Sequence, residues 1–176
     1  MKYLIVVDMQ NDFVYGSLGT KEARAIVPSI ELKICQYSEN EDGRIAFTTD
    51  THSHDYLSTL EGKYLPIEHC IFGSNGWRII DELFGYAMNA DHHCNKQTFG
   101  YDDWEGVFAN GRCIESIELI GVCTDICVVS NALILKSLYP EIPIIVDASC
   151  CAGTTPDNHR AALQVMKSCQ IDIINE

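Results

Sequence analysis

The chain has 176 residues. That is enough for one domain, spanning 1–176, with a core of its own, so folding needs neither disulfides nor a structural metal. Hydrophobic residues make up 47% and charged residues 21%, a globular composition that excludes a disordered chain or a coiled coil. Lysine and arginine number 12 against 25 aspartates and glutamates, a net charge of −13. Such a surface repels phosphate backbones and anionic headgroups, which argues against nucleic acid or a membrane surface as a partner.

No stretch is long and apolar enough to span a bilayer. Met1 to Asp8 holds one lysine and a short apolar run, lacks a signal-peptide cleavage site and meets an aspartate early, so a cytoplasmic location is expected. Nine cysteines, an odd count, suit a reducing compartment in which most stay thiols and some are reactive.

Strand and helix alternate along the chain. Tyr3 to Val7 is a continuous apolar run, as expected of a strand buried on both faces, and the polar residues Asp8, Gln10, Asn11 and Asp12 follow. Helical spacing runs from about Lys21 to Tyr37. After the Asp42-Gly43 turn signal, Arg44 to Thr49 reads as a strand ending at Asp50. Thr51 to Asn75 has no clear period and is expected to be an ordered functional loop. Ile79 to Met88 reads as a helix and Asp91 to Lys96 as a weak strand. Ser116 to Gly121 is a strand, followed by a helix from Thr124 to Leu138 that Pro140 closes. Pro143 to Asp147 is a further strand, and Cys150-Cys151 is expected in a turn. Thr155-Pro156-Asp157 starts a helix, with Thr as cap and Pro in the first turn. That helix reaches about Cys169, and Ile171 to Ile174 closes the chain as a strand. This alternation predicts a three-layer α/β/α fold around a central, mainly parallel sheet of about five or six strands. Sites in such folds form beyond the C-terminal strand ends. Asp8, Asp50, Lys96 and the segment after Gly121 therefore fall along one edge.

Cys127 lies in the first turn after a strand, where free N–H groups and the helix dipole favour a thiolate and can bind an oxyanion. The bland alternative is a buried structural thiol. Asp8 can serve as an acid–base partner or be a solvated strand-end carboxylate. Lys96 can hold neighbouring anions in their charged forms or be a surface lysine. In Asp50-Thr51-His52, residues two apart point the same way and can share one ion. With Glu61 and His69 from the same loop, two carboxylates and two imidazoles suit zinc, manganese or iron(II), against a reading as a polar loop with scattered histidines. His54 is the weakest candidate there. Asp91-His92-His93-Cys94 also looks metal-like, but reads as the strand leading to Lys96. Packing is the default for Cys35, Cys70, Cys94, Cys113 and Cys169.

These residues resemble a known family. Val6-Val7-Asp8-Met9-Gln10-Asn11-Asp12-Phe13 is similar to the opening of the isochorismatase-like cysteine hydrolases. Phe47-Thr48-Thr49-Asp50-Thr51-His52 and His69-Cys70-Ile71-Phe72-Gly73-Ser74-Asn75-Gly76 resemble segments of its nicotinamidase branch. Gly121 to Val128 resembles the family's G-x-x-T-D-x-C-V nucleophile turn. The matches run in the family's order over nearly the whole chain. The resemblance implies an Asp8, Lys96 and Cys127 triad. It also implies a cis peptide at Val122–Cys123 and an oxyanion hole from the N–H groups of Cys123 and Cys127. One divalent metal ion, zinc by preference with manganese or iron as alternatives, is implied on Asp50, His52 and His69, with Glu61 replacing a further histidine. The family's aromatic before the His-Cys pair is missing, which leaves Phe13 and Tyr64 as candidate partners for a substrate ring. The implied reaction is hydrolysis of nicotinamide to nicotinate and ammonia through a cysteine thioester, with a small-molecule amide as partner and a homo-oligomer as the assembly. The rivals are a hydrolase of another small amide or ureido compound, an isochorismate-type hydrolase, and a non-catalytic metal-binding relative.

Overall fold

The computed structural model describes residues 1–108 and 114–176, so Cys113 lies outside the described residues. Strand β1 (Lys2–Val7) is the centre of the sheet. Its side chains alternate: Tyr3, Ile5 and Val7 enter one core layer, Leu4 and Val6 the other. A strand packed on both faces must be apolar at every position, which is why its sequence shows no polar alternation. β2 (Gly43–Asp50) pairs with one side of β1 and β4 (Ser116–Val122) with the other. Beyond them lie β3 (His92–Lys96), β5 (Ile144–Ala152) and β6 (Asp172–Ile174), in the order β3-β2-β1-β4-β5-β6. All five pairings are parallel. The expected α/β class with a parallel sheet is observed, at six strands.

The first layer of helices comprises α1 (Asn11–Val14), α2 (Lys21–Ala25), α3 (Val27–Ser38) and α5 (Asp81–Met88), packed over the Leu4 and Val6 face. The second comprises α6 (Trp104–Phe108), α7 (Val129–Leu138) and α8 (Pro156–Ser168) over the opposite face. Thr155 caps α8 by accepting the Asn158 N–H at 3.1 Å, and Pro156 fills its first position, as the Thr-Pro signal predicts.

Three expectations need correction, and one helix is added. The helix over Lys21–Tyr37 is two helices, broken at Ile26. Pro28 lacks the N–H that a continuing helix needs, but fits the first turn of a new one. The loop from Thr51 to Asn75 contains a 3₁₀ turn at Tyr56–Ser58 and the short helix α4 (Leu60–Tyr64), capped by Thr59; one turn of each is too short to show a period. Helix α6 had no counterpart in the sequence reading. Cys150 and Cys151 lie within β5, not in a turn, because Cys151 and Ala152 pair with Gly121 and Val122. That pairing is long-range and leaves no local pattern.

Gly121 sits where the β4–β5 register slips, at φ +114°. A Cβ there would stand 2.2 Å from the Val7 carbonyl oxygen. Both the close approach and the φ demand glycine. Gly121→Ala is expected to destabilise the fold by about 3 kcal/mol, the cost of a strained φ plus displacement of strand β1. Urea unfolding checks this: an unchanged midpoint would mean that the strand end yields at little cost.

Candidate active site

The sheet's order reverses about β1, and its C-terminal ends converge there. Asp8 is the first residue past β1, Asp50 ends β2, Lys96 ends β3, and Cys123 to Cys127 follow β4. Four carboxyl-end positions far apart in sequence thus meet at one point, the site that open parallel sheets form.

Lys96 is 2% exposed and its ammonium is the hub. Its Nζ lies 2.7 Å from Asp8 Oδ2, 3.1 Å from Asp50 Oδ1 and 3.4 Å from Cys127 Sγ. It donates hydrogen bonds to Asp50 Oδ1 and Cys127 Sγ, and it holds Asp8 Oδ2, which has no hydrogen-bond partner of adequate geometry, as an ion pair. Burial disfavours its charge, but Asp8, Cys127 and Asp50 outweigh burial and hold its pKa well above the ordinary lysine value. Burial raises the Asp8 carboxyl, against the opposing charge of Lys96. Burial and the Asp8 charge push the Cys127 thiol well up, with Lys96 opposing them. A thiol shifted that way needs an internal base to become a nucleophile, and Asp8 is the carboxylate held on the same ammonium as Cys127.

Cys127 lies in a single π turn, Thr124–Val128, between β4 and α7. The Val122–Cys123 peptide before it is cis. Asp125 anchors the turn from outside by accepting the Thr154 N–H at 2.8 Å. Thr124 Oγ1 is 2.8 Å from His159 Nδ1 of α8.

Asp50, His52 and His69 bring one ligand atom each to within 4.8 Å of one another. His52 Nε2 is 2.9 Å from Asp50 Oδ2 and 3.7 Å from Glu61 Oε1. It is buried and has no hydrogen-bond partner of adequate geometry. His69 Nδ1 lies 2.9 Å from the Ile67 carbonyl, which leaves its Nε2 facing Asp50 at 3.5 Å. That second contact is how proteins set the orientation of a ligating imidazole. Burial alone would raise the Asp50 carboxyl, but His52, His69 and Lys96 around it hold it well below the usual range. Two buried carboxylates, Asp8 and Asp50, share one lysine, so the cluster carries an uncompensated negative charge when the histidines are neutral. The unused imidazole nitrogen, the nitrogen and oxygen donors and that charge all fit a divalent metal ion. Glu61 stands at the outer rim, its side chain 26% exposed and its Oε1 3.9 Å from His69 Nε2.

A cavity of about 350 Å³ opens onto both clusters. Asp50, His69 and Cys127 line it together with Phe13, Leu65 and Phe99. Phe13 is 8% exposed, with its ring centroid 5.6 Å from that of His69. Tyr64 is not brought to the cavity: it is 84% exposed. It is the last residue of α4, the short helix that also carries Glu61, whose Oε1 lies 3.7 Å from His52 Nε2. His54 is exposed and outside the ligand cluster. His92 and His93 lie on β3, leading to Lys96.

Three supporting residues escaped the sequence reading. Gln10, fully buried, accepts the Asp50 N–H at 2.8 Å and donates to the carbonyls of Asp50 at 2.9 Å and Trp77 at 2.7 Å. Thr48 Oγ1 donates to Asp8 Oδ1 at 2.6 Å. Tyr56, also fully buried, packs its ring 4.7 Å from His52 and 5.0 Å from His69, and its hydroxyl donates to the Leu65 carbonyl at 2.9 Å. Gln10 stood in the polar run after Asp8, the one signal that could have singled it out. Thr48 and Tyr56 carry no local signal.

Residues 2–175 match the family model described as the isochorismatase domain. The chain belongs to the isochorismatase family. It is 26% identical over 187 residues to the nicotinamidase/pyrazinamidase of Mycobacterium tuberculosis, covering 99% of this chain and 98% of that one. The crystal structure of the pyrazinamidase/nicotinamidase from Streptococcus mutans superposes with a TM-score of 0.87 at 28% identity, over 99% of this chain and 100% of that one. The pyrazinamidase of Pyrococcus horikoshii in complex with zinc gives 0.82 at 26% identity, over 99% of each chain. Within the isochorismatase family the chain sides with the nicotinamidase/pyrazinamidase branch, and it is an enzyme of the amidohydrolase class. Among the described residues, no helix is long and apolar enough to cross a membrane.

Lys96→Met leaves Asp8 and Asp50 buried without their cation and should cost about 3–5 kcal/mol at neutral pH. The sign with pH follows from Asp8. Its folded pKa is raised above the ordinary 3.8, so the folded state holds the proton longer and stability falls as pH rises from 3.8 toward the folded value. Losing Lys96 raises that value further and widens the window upward. Denaturant titrations from pH 5 to 8 should therefore show the deficit of Lys96→Met growing with pH. A deficit independent of pH would remove Lys96 as the counter-charge of Asp8.

Proposed function

We propose that the protein hydrolyses nicotinamide to nicotinate and ammonia. One observation carries the reading: a cysteine with a buried base and a cluster of metal-binding type line the same apolar cavity. A flat ring with a basic nitrogen at one end and a carboxamide at the other satisfies both. Aliphatic amides and ureido compounds lack that nitrogen and would leave the Asp50, His52 and His69 cluster without a role in binding.

In this reading Asp50, His52 and His69 hold a divalent metal, zinc by preference, with Glu61 at its outer side; when bound it supplies a Lewis acid for the ring nitrogen. Phe13 stacks on the ring, and the apolar wall excludes water. Asp8 takes the proton from Cys127 Sγ, and Lys96, 3.4 Å from the sulfur, stabilises the thiolate. The sulfur attacks the carboxamide carbon, and the backbone N–H groups of Cys123 and Cys127 take the oxyanion. Asp8 passes its proton to the departing nitrogen, which leaves as ammonia from a thioester on Cys127. Asp8 then removes a proton from water. The hydroxyl adds to the thioester carbon, and the thiol leaves with the proton that Asp8 returns. Amides are poor electrophiles with poor leaving groups, so a strong nucleophile and a positioned acid are both required.

The test is ammonia release from nicotinamide by purified protein, before and after chelation and zinc add-back. Metal-dependent release is expected. Absence of release with metal restored would discard nicotinamide as the substrate. Cys127→Ala should lose at least about a thousandfold in kcat with its fold and metal content intact. Residual turnover near the wild-type rate would rule out the thioester. His52→Ala should bind metal at least about tenfold more weakly; unchanged metal content in that variant would refute the ligand set.

A further inference from the structure

Asn131, on α7, is fully buried and uses every hydrogen-bonding position of its amide. Its Oδ1 accepts the Tyr101 N–H at 2.8 Å and the Trp104 Nε1–H at 3.1 Å. Its Nδ2 donates to the Cys127 carbonyl at 2.8 Å and to the Phe99 carbonyl at 3.5 Å. One side chain thus ties the nucleophile to the segment that follows Lys96. That segment carries Phe99, which lines the same cavity as Cys127. It lies directly against α7: a Cβ on Gly100 would stand 2.3 Å from Ile134 Cδ1. The neighbouring Ser130 returns its Oγ to the Ile126 carbonyl at 2.6 Å. Two consecutive helix residues therefore reach back to the carbonyls of the π turn. A π turn departs from regular α-helical bonding, and such turns collect at functional sites.

We propose that Asn131 is a positioning residue that holds Cys127 and the Phe99 wall of the cavity in fixed relation, through the two ends of its amide. The donor end sets the nucleophile; the acceptor end sets the wall. For its kinetic readouts the inference rests on the amidase reading above, while its other readouts need no substrate.

Two neutral substitutions separate the ends. Asn131→Thr keeps a hydroxyl able to donate back to the Cys127 carbonyl, as Ser130 does to Ile126, but leaves Tyr101 N–H and Trp104 Nε1–H without their acceptor. Asn131→Ala removes both ends. The measurements are the rate of iodoacetamide alkylation at Cys127, located by tandem mass spectrometry, and amide hydrogen exchange over residues 97–104. Asn131→Ala should slow alkylation at least tenfold and speed exchange at Tyr101 at least tenfold. Asn131→Thr should speed exchange equally, yet alkylate within threefold of wild type. With nicotinamide, Asn131→Ala should lose kcat at least tenfold, and Asn131→Thr should keep kcat within threefold while KM rises at least fivefold. A residue with only a structural role would lower the melting temperature and leave alkylation of the folded protein unchanged in both variants. That result, or equal slowing of alkylation in the two, would overturn the proposal. Should the wild-type protein release no ammonia from nicotinamide, alkylation and exchange still decide the role of Asn131, and the failure belongs to the substrate assignment alone.

Discussion

One buried ammonium holds the site together. Lys96 stands between two carboxylates and a thiol, all of them shielded from water. Taking such charges out of water costs several kcal/mol per ion, and only close opposite charges and full hydrogen bonding offset it. Lys96 and the two histidines outweigh burial at Asp50, whereas Lys96 and Thr48 offset the burial of Asp8 only in part, and its carboxyl stays raised. Even so, two carboxylates share one lysine. The remaining negative charge suits the Asp50, His52 and His69 donor set to a cation, and Lys96 couples that set electrostatically to Cys127.

The fold's part is convergence. Parallel strands with helices on both faces send all their C-terminal ends the same way, and the reversal of strand order about β1 opens a crevice among them. Gly121 lets β4 approach β1 closely enough for the nucleophile turn to face Asp8, since any side chain there would strike the Val7 backbone. Gln10 bonds both backbone groups of Asp50, so Asp50 is fixed to the segment that carries Asp8. The proposed mechanism draws on this rigidity: in it the proton moves between Cys127 and Asp8 without either leaving its place.

Legibility in the sequence followed locality. Strand β1 was readable because burial on both faces demands an unbroken apolar run, and β2 and β4 because short, largely apolar segments follow turn or precede helix signals. Asp8, Asp50, His52, His69, Lys96 and Cys127 were readable because strand-end position and short motifs mark them. A donor set suited to a divalent metal was readable from residue types, since two imidazoles near carboxylates suit few ions. Helix α6, the short turns of the 51–75 loop and the extension of β5 to Ala152 were not readable, because each is too short for a period or depends on a partner far along the chain.

Local spacing and chemistry thus determined the α/β class and the edge of the sheet that carries the candidate site, while the resemblance to a family singled out the groups expected there. Tertiary structure decided which groups touch. It turned Tyr64 out to solvent and brought Tyr56 in against the histidines, although both belong to the same polar loop. It made Lys96 the shared counter-ion of Asp8 and Asp50, and it joined Asn131 to Cys127, Tyr101 and Trp104. The physical reason is that burial and hydrogen bonding are settled by contacts between distant segments, and no pattern along the chain records which buried donor will meet which buried acceptor.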